Sequence, residues 1–200
     1  MSRTDGEKTK KTILRVAERL FSKTGFQGTS VAEIAREANV NKALIYYHFK
    51  DKNDIIISLF RNIIEELEQH LDRSVETDDS LSGAEKARLQ IEAELRYLAG
   101  RKRIIAVMLM ETLKSANADD FLFQCSEIVI QHEGGYPSKG TKNIDNTNRH
   151  RYLSNEFFTG FIPMISFVVF QDKWCKYFEC DPEKALGYFL EAFERSHLAK

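Results

Sequence analysis

Residues 41–52 read NKALIYYHFKDK, with two tyrosines, one histidine and three lysines in twelve positions. These side chains are hydrogen-bond donors and cations, suited to gripping an anionic polymer rather than to breaking bonds. Placed on a short helix, each has a task it can perform against duplex DNA. Asn41 can cap the helix start. Lys42, next to it, can reach a guanine edge or a phosphate, and Ala43 is small enough to let the backbone come close and meet a thymine methyl. Leu44 can make an apolar base contact. Tyr47 and His48 can donate to phosphate, and Lys52 can add a charge-assisted contact. Tyr46 also turns outward, though more of its ring is expected in packing. Thr29 and Ser30 stand where free backbone N–H groups of a second helix favour an anion.

These residues need a rigid support, and the apolar spacing supplies one. Ile13, Ala17, Leu20 and Phe21 recur on one helical face, and Gly25 follows where a helix would stop. Ser30 with Glu33 fits a capping box before the stripe Val31, Ile34, Ala35, Ala38. Asn39 can take the left-handed conformation of a tight turn. Ile45 and Phe49 lie one turn apart on the inner side of the third helix. Asp51 caps a fourth, whose stripe runs Ile56, Leu59, Phe60, Ile63, Leu67, Leu71. Two short helices joined by about three residues form a helix-turn-helix.

The phrase FSKTGFQGTSVAEIAREANVNKALIYYHFKDKNDII, 21–56, resembles the TetR family of bacterial transcription regulators. Phe21 and Gly25, the Thr29-Ser30-Val31-x-x-Ile34-Ala35 helix, Val40, and Tyr46-Tyr47-His48-Phe49-Lys50-x-Lys52 carry the likeness, which covers roughly residues 8–60. Leu44 stands where the family more often has a small or polar residue. The resemblance implies an all-α homodimer: a three-helix DNA-binding domain over 1–50, and a ligand-binding and dimerisation domain over 51–200 with the fourth helix as connector. It also implies a palindromic operator that mirrors the twofold axis, with the subunits paired through helices near 151–173 and 182–197.

The totals agree with this reading. Gly at 10 and Pro at 3 in 200 residues favour long helices, and 42% hydrophobic with 30% charged residues is a globular composition. Net charge is −1, yet residues 1–60 hold 11 Lys+Arg against 7 Asp+Glu, and the rest holds 18 against 23. The basic end marks the side that meets a polyanion. The run Lys8, Lys10, Lys11 is solvated charge that can serve as a basic arm. GRKR at 100–103 reads as a solvated helix junction.

The second half predicts further helices. Ala84, Ala87, Ile91, Leu95 and Leu98 share a face. Residues 104–113 are apolar most of the way round, and 151–173 form a Phe-rich helix with Pro163 as a kink. Met108, Met110, Phe121, Phe157, Phe161, Met164 and Phe167 are each core candidates that can also line a pocket for a hydrophobic or aromatic effector. The helix 157–170 needs cover on two sides, from its own domain and from a second subunit. Residues 74–83 and 133–150 are expected as loops. The most apolar run, Phe157 to Phe170, is fourteen residues interrupted by Thr, Gly, Pro and Ser, too short for a membrane span.

Enzymatic and metal chemistry find no foothold. HExxH, GxSxG, a P-loop and GxGxxG are absent, no acidic pair stands out, and Cys175-x4-Cys180 lacks a third ligand. No cofactor is called for. MSRTDGEKTKKT has no apolar signal core, and three cysteines without a framework fit a reducing, cytoplasmic setting. The expected function is a ligand-responsive regulator, a repressor in the first instance. A ligand-dependent activator and a non-specific architectural DNA-binding protein are the alternatives.

Overall fold

The structure, a computed structural model, describes residues 3–74, 81–114, 121–132 and 146–198, and every element among them is helical. Packing divides the chain into two compact units, Met1–Ile64 with Arg103–Cys125, and Glu65–Lys102 with Ser126–Lys200. The boundary expected at residue 50 follows the motif. By packing, the first unit runs on to Ile64 and takes in a later helix.

In the first unit, α1 (Arg3–Gly28) buries Ile13, Ala17, Leu20 and Phe21. It breaks at Gly25, whose φ of 77° and ψ of 168° only glycine adopts without strain. α2 (Val31–Glu37) starts at Ser30, whose hydroxyl accepts the Glu33 N–H at 3.1 Å. The Glu33 carboxylate lies 4.0 Å from Arg36, so the expected capping box is present in its Ser30 half. Asn39, φ 54°, makes the turn to α3 (Lys42–His48). α4 (Lys52–Ser74) opens with a reciprocal cap. Asp51 accepts the Asp54 N–H at 2.9 Å, and Asp54 accepts the Lys50 N–H at 2.8 Å. Ile34, Ile45, Phe49, Ile55, Ile56, Leu59 and Phe60 complete the buried core of these helices.

α5 (Gly83–Ala99) follows a full capping box between Ser82 and Glu85. Residues 75–80 of the expected first loop lie outside the described residues. α6 (Lys102–Lys114) buries Ile104, Ile105 and Met108, and α7 (Phe121–His132) buries Leu122 and Cys125. The second expected loop, 133–150, is helical in its last five positions. Residues 133–145 lie outside the described residues, but α8 (Asn146–Asn155) already starts at Asn146. Its polar face hides a helix from a reading based on apolar spacing.

The kink expected at Pro163 takes the form of a π-helical stretch, Glu156–Phe161, before α9 (Ile162–Phe178). Ile162 donates to the Phe157 carbonyl, a wider turn that accommodates the missing proline N–H. Asn148–Phe178 is thus a 31-residue helical run, long and apolar enough by length and composition alone to cross a bilayer. The fourteen-residue run seen in sequence understates it, because the helix continues through polar positions. Within the second unit, α9 packs on α5 and on α10 (Pro182–Phe193), which Asp181 caps.

Candidate nucleic-acid interface

α3 owes its presentation to two residues at its ends and two on its inner side. The Asn41 side-chain amide oxygen, Oδ1, accepts the Leu44 N–H at 2.7 Å, which starts the helix. Phe49 closes it with an N–H bond to the Ile45 carbonyl at 2.8 Å. Ile45 and Phe49 are buried, which turns the opposite side outward. That side holds Asn41, Lys42, Ala43, Tyr46 and Tyr47, all exposed, with Leu44 half-buried beside them. Tyr47 is 78% exposed and Tyr46 50%. The Lys42 ammonium sits 5.7 Å from the Tyr46 ring centre, so cation and ring form one donor surface.

The other residues expected at a DNA contact have structural employment. Thr29 is 1% exposed. Its hydroxyl donates to the Gly25 carbonyl at 2.9 Å and shares a 2.8 Å bond with the Thr24 hydroxyl. It ties the glycine break to the start of α2, while Ser30 remains exposed at the helix end. Lys52 donates to the Phe26 and Thr29 carbonyls at 2.9 and 3.1 Å and lies 4.2 Å over the Phe26 ring. Burial pulls its ammonium below the usual lysine range, against the opposing pull of Glu111. His48 is turned inward: its Nε2 is buried, with no hydrogen-bond partner among the described residues. Burial, then Lys10, pull the imidazole below its usual range, and Glu7 opposes them.

The basic character of this end survives pairing. Arg19 donates to Glu37 at 2.9 Å and, by that bond, holds the Glu37 carboxyl below the usual range. The acidic residues of α2 are therefore matched by Arg19 and Arg36. Lys8 and Lys11 are exposed on α1, and Lys10 lies 5.9 Å from the Phe49 ring centre.

One residue of this unit was invisible to motif reading. Glu111 of α6 is buried, and it accepts from the Gln27 amide at 2.8 Å and from Lys114 at 3.0 Å. It is separated from Gln27 by 84 positions in the chain. The one sequence signal is a lone acid in the apolar run IIAVMLMETL.

The residues expected around an effector fall in both units. Met108 is buried and Met110 is exposed on α6; the Phe121 side chain lies outside the described residues. Phe161 is buried, and Phe157, Met164 and Phe167 are half-buried. Phe157 stacks on Phe161 at 6.0 Å between centroids, and Phe167 on Phe189 at 4.4 Å. Among the described residues no cluster of three or more His, Cys, Asp or Glu could hold a metal.

Residues 13–59, the stretch from the buried face of α1 to the first turns of α4, match the model for bacterial regulatory proteins of the tetR family. In these helices the chain belongs to the tetR family. The HTH-type transcriptional regulator AcrR of Shigella flexneri is 44% identical over 126 residues, covering 63% of this chain and 50% of the relative. TtgR of Pseudomonas putida is 33% identical over 107 residues, covering 52% and 50%. For HbdR of Aromatoleum sp. the figures are 39% over 70 residues, covering 35% and 31%. The chain therefore spans 31% to 50% of the length of these curated relatives. The likeness in fold reaches further. FadR from Bacillus subtilis, solved in complex with stearoyl-CoA, superposes with a TM-score of 0.57 at 22% identity over 91% of this chain and 96% of that one. A TetR-family regulator from Haemophilus influenzae RD gives 0.57 at 17% identity over 98% of both. The likeness to these all-helical folds thus takes in the described residues of the C-terminal half.

Proposed function

We propose that this chain is a DNA-binding transcriptional regulator that occupies a palindromic operator as a homodimer and represses transcription until a small hydrophobic or aromatic effector releases it. The observation that carries the reading is the outward face of α3. Lys42, Ala43, Tyr46 and Tyr47 point away from a helix fixed by Ile45 and Phe49, at the end a recognition helix offers to the major groove. Ser30 and the α2 start flank it as a phosphate contact.

Pairing of two copies is supported by α9 and α10. Phe170, Trp174, Tyr177, Phe178 and Tyr188 are exposed aromatic residues on these two helices, an apolar surface that a second copy would cover. The stacked rings Phe157, Phe161, Phe167 and Phe189 supply an apolar environment, and a structural neighbour was solved with a long-chain acyl thioester. Both favour an apolar effector. α4, which runs from the Asp51 cap to Ser74, is the connector. Heads that enter successive major grooves sit about 34–36 Å apart. An effector that binds better to a wider spacing lowers operator affinity by that difference in binding. Such a regulator works where the chromosome is, in the cytoplasm.

Selection of bound sequences from random duplexes, followed by footprinting, tests the proposal. The expected result is one palindromic site protected on two successive turns and lost in Tyr47→Ala. Equal retention of unrelated duplexes at moderate salt would overturn it in favour of an architectural protein. Transcription from that site, measured with and without the chain, gives the sign of regulation.

A further inference from the structure

α9 ends at Phe178, and Glu179 closes it in the left-handed conformation, φ 52° and ψ 39°. Two backbone N–H groups converge on the Cys175 carbonyl, that of Glu179 and, at 3.0 Å, that of Cys180. The Cys180 bond closes the six-residue Schellman turn, whose first and last side chains commonly touch. Here both are cysteines. That bond also bounds the distance between them. The N–Cα bond, ~1.5 Å, and the Cα···O separation fixed by the carbonyl angle, ~2.4 Å, add about 4 Å at most, so the α-carbons are no more than ~7 Å apart. A disulfide spans that separation. Cys175 is buried, and Cys180 is partly exposed with its Sγ 3.5 Å from the Asp181 carbonyl. Burial first, and then the neighbouring Cys180, push the Cys175 thiol up. The two sulfurs thus differ: one is accessible, the other shielded and adjacent.

We propose that Cys175 and Cys180 are a redox site that closes into an intramolecular disulfide by exchange with a small-molecule disulfide of the glutathione class. Cys180, as the accessible thiol, loses its proton and attacks one sulfur of the small disulfide. That S–S bond breaks and one small thiolate leaves, taking up a proton. Cys175 then loses its proton and attacks Cys180 Sγ, and the second small thiolate leaves. The protein pair gives up two electrons and two protons, and the small disulfide becomes two thiols. The bridge staples the end of α9 beside Trp174, the one tryptophan of the chain. Neither DNA nor a second subunit takes part.

The test uses the full chain in buffers of oxidised and reduced glutathione, quenched with acid, then unfolded and alkylated. Oxidation is expected to leave one alkylatable cysteine, Cys125, with a Cys175–Cys180 link within one peptide, and to lower Trp174 fluorescence in step. Reduction restores all three thiols and the emission. Cys180→Ser, at a partly exposed position, should abolish both changes, and Cys125→Ser should leave both intact. A stable glutathione adduct on Cys180 with Cys175 still free would overturn the proposal. So would links found between chains only, or three alkylatable thiols at every glutathione ratio.

Discussion

The Lys52 ammonium bonds to the Phe26 carbonyl at 2.9 Å and lies 4.2 Å over the ring of the same residue. With the Thr29 carbonyl as a second acceptor, this lysine holds the link between α1 and α2 against the start of α4. Its charge serves the fold before it serves any ligand. Lys52→Ala should lower the stability of the first unit by about 1.5–3 kcal/mol, the scale of hydrogen bonds from a charged donor. Denaturant unfolding checks this. An unchanged midpoint would return Lys52 to the role of a free phosphate contact.

Tyr47 and Lys42 should behave in the opposite way. Both are exposed on α3, so Tyr47→Ala and Lys42→Ala should stay within about 0.5 kcal/mol of the parent in stability. Operator affinity should fall by about 1–3 kcal/mol for each. The salt dependence of Lys42→Ala separates two contacts: a smaller slope marks a phosphate, and relaxed preference at one base pair marks a base edge.

His48 makes the first unit sensitive to acid. Its folded pKa lies below the ordinary value of 6.5, so the unfolded chain takes up the proton first. Its contribution to stability is complete above pH 6.5 and is lost as pH falls through that value toward the folded pKa. Thermal melts from about pH 7.5 down to about pH 5 should show a fall that is shallower in His48→Leu. Parallel profiles for the two proteins would rule His48 out.

Glu111 should matter for operator binding without facing DNA. Glu111→Ala removes the 2.8 Å acceptor of the Gln27 amide and should cost about 0.5–1.5 kcal/mol. Hydrogen exchange should speed up at Phe26–Thr29, and operator affinity should drop although α3 is untouched. Unchanged exchange at those amides would disprove the link.

Gly160 lies against His197. A Cβ there would stand 2.7 Å from His197 Cε1. That ring bonds Thr159 through Nδ1 at 2.9 Å, and its Nε2 is 3.3 Å from Glu156, so it cannot shift without losing both contacts. Gly160→Ala should destabilise the second unit by roughly 1–3 kcal/mol. In a His197→Ala background the cost should largely vanish, which a double-mutant cycle reads directly.

Local signals carried the head domain. Asn41, Ser30, Asp51 and Asn39 do their capping and turning with atoms a few residues away, so their roles stand in the sequence itself. The α3 face followed as well, because Ile45 and Phe49 at helical spacing determine which side chains are left outside. The sequence could not say that Lys52 and Thr29 point inward, since a lysine and a threonine are spelled alike in solvent and in a hydrogen-bonded pocket. It hid α8, whose polar residues carry no apolar period, and the π turn that absorbs Pro163. The contact between Gln27 and Glu111, and that between Gly160 and His197, depend on folding distant segments together. Side-chain periodicity reports which face of a helix is buried, but only tertiary packing decides against which neighbour, and so which polar groups are spent on the fold and which remain for a ligand.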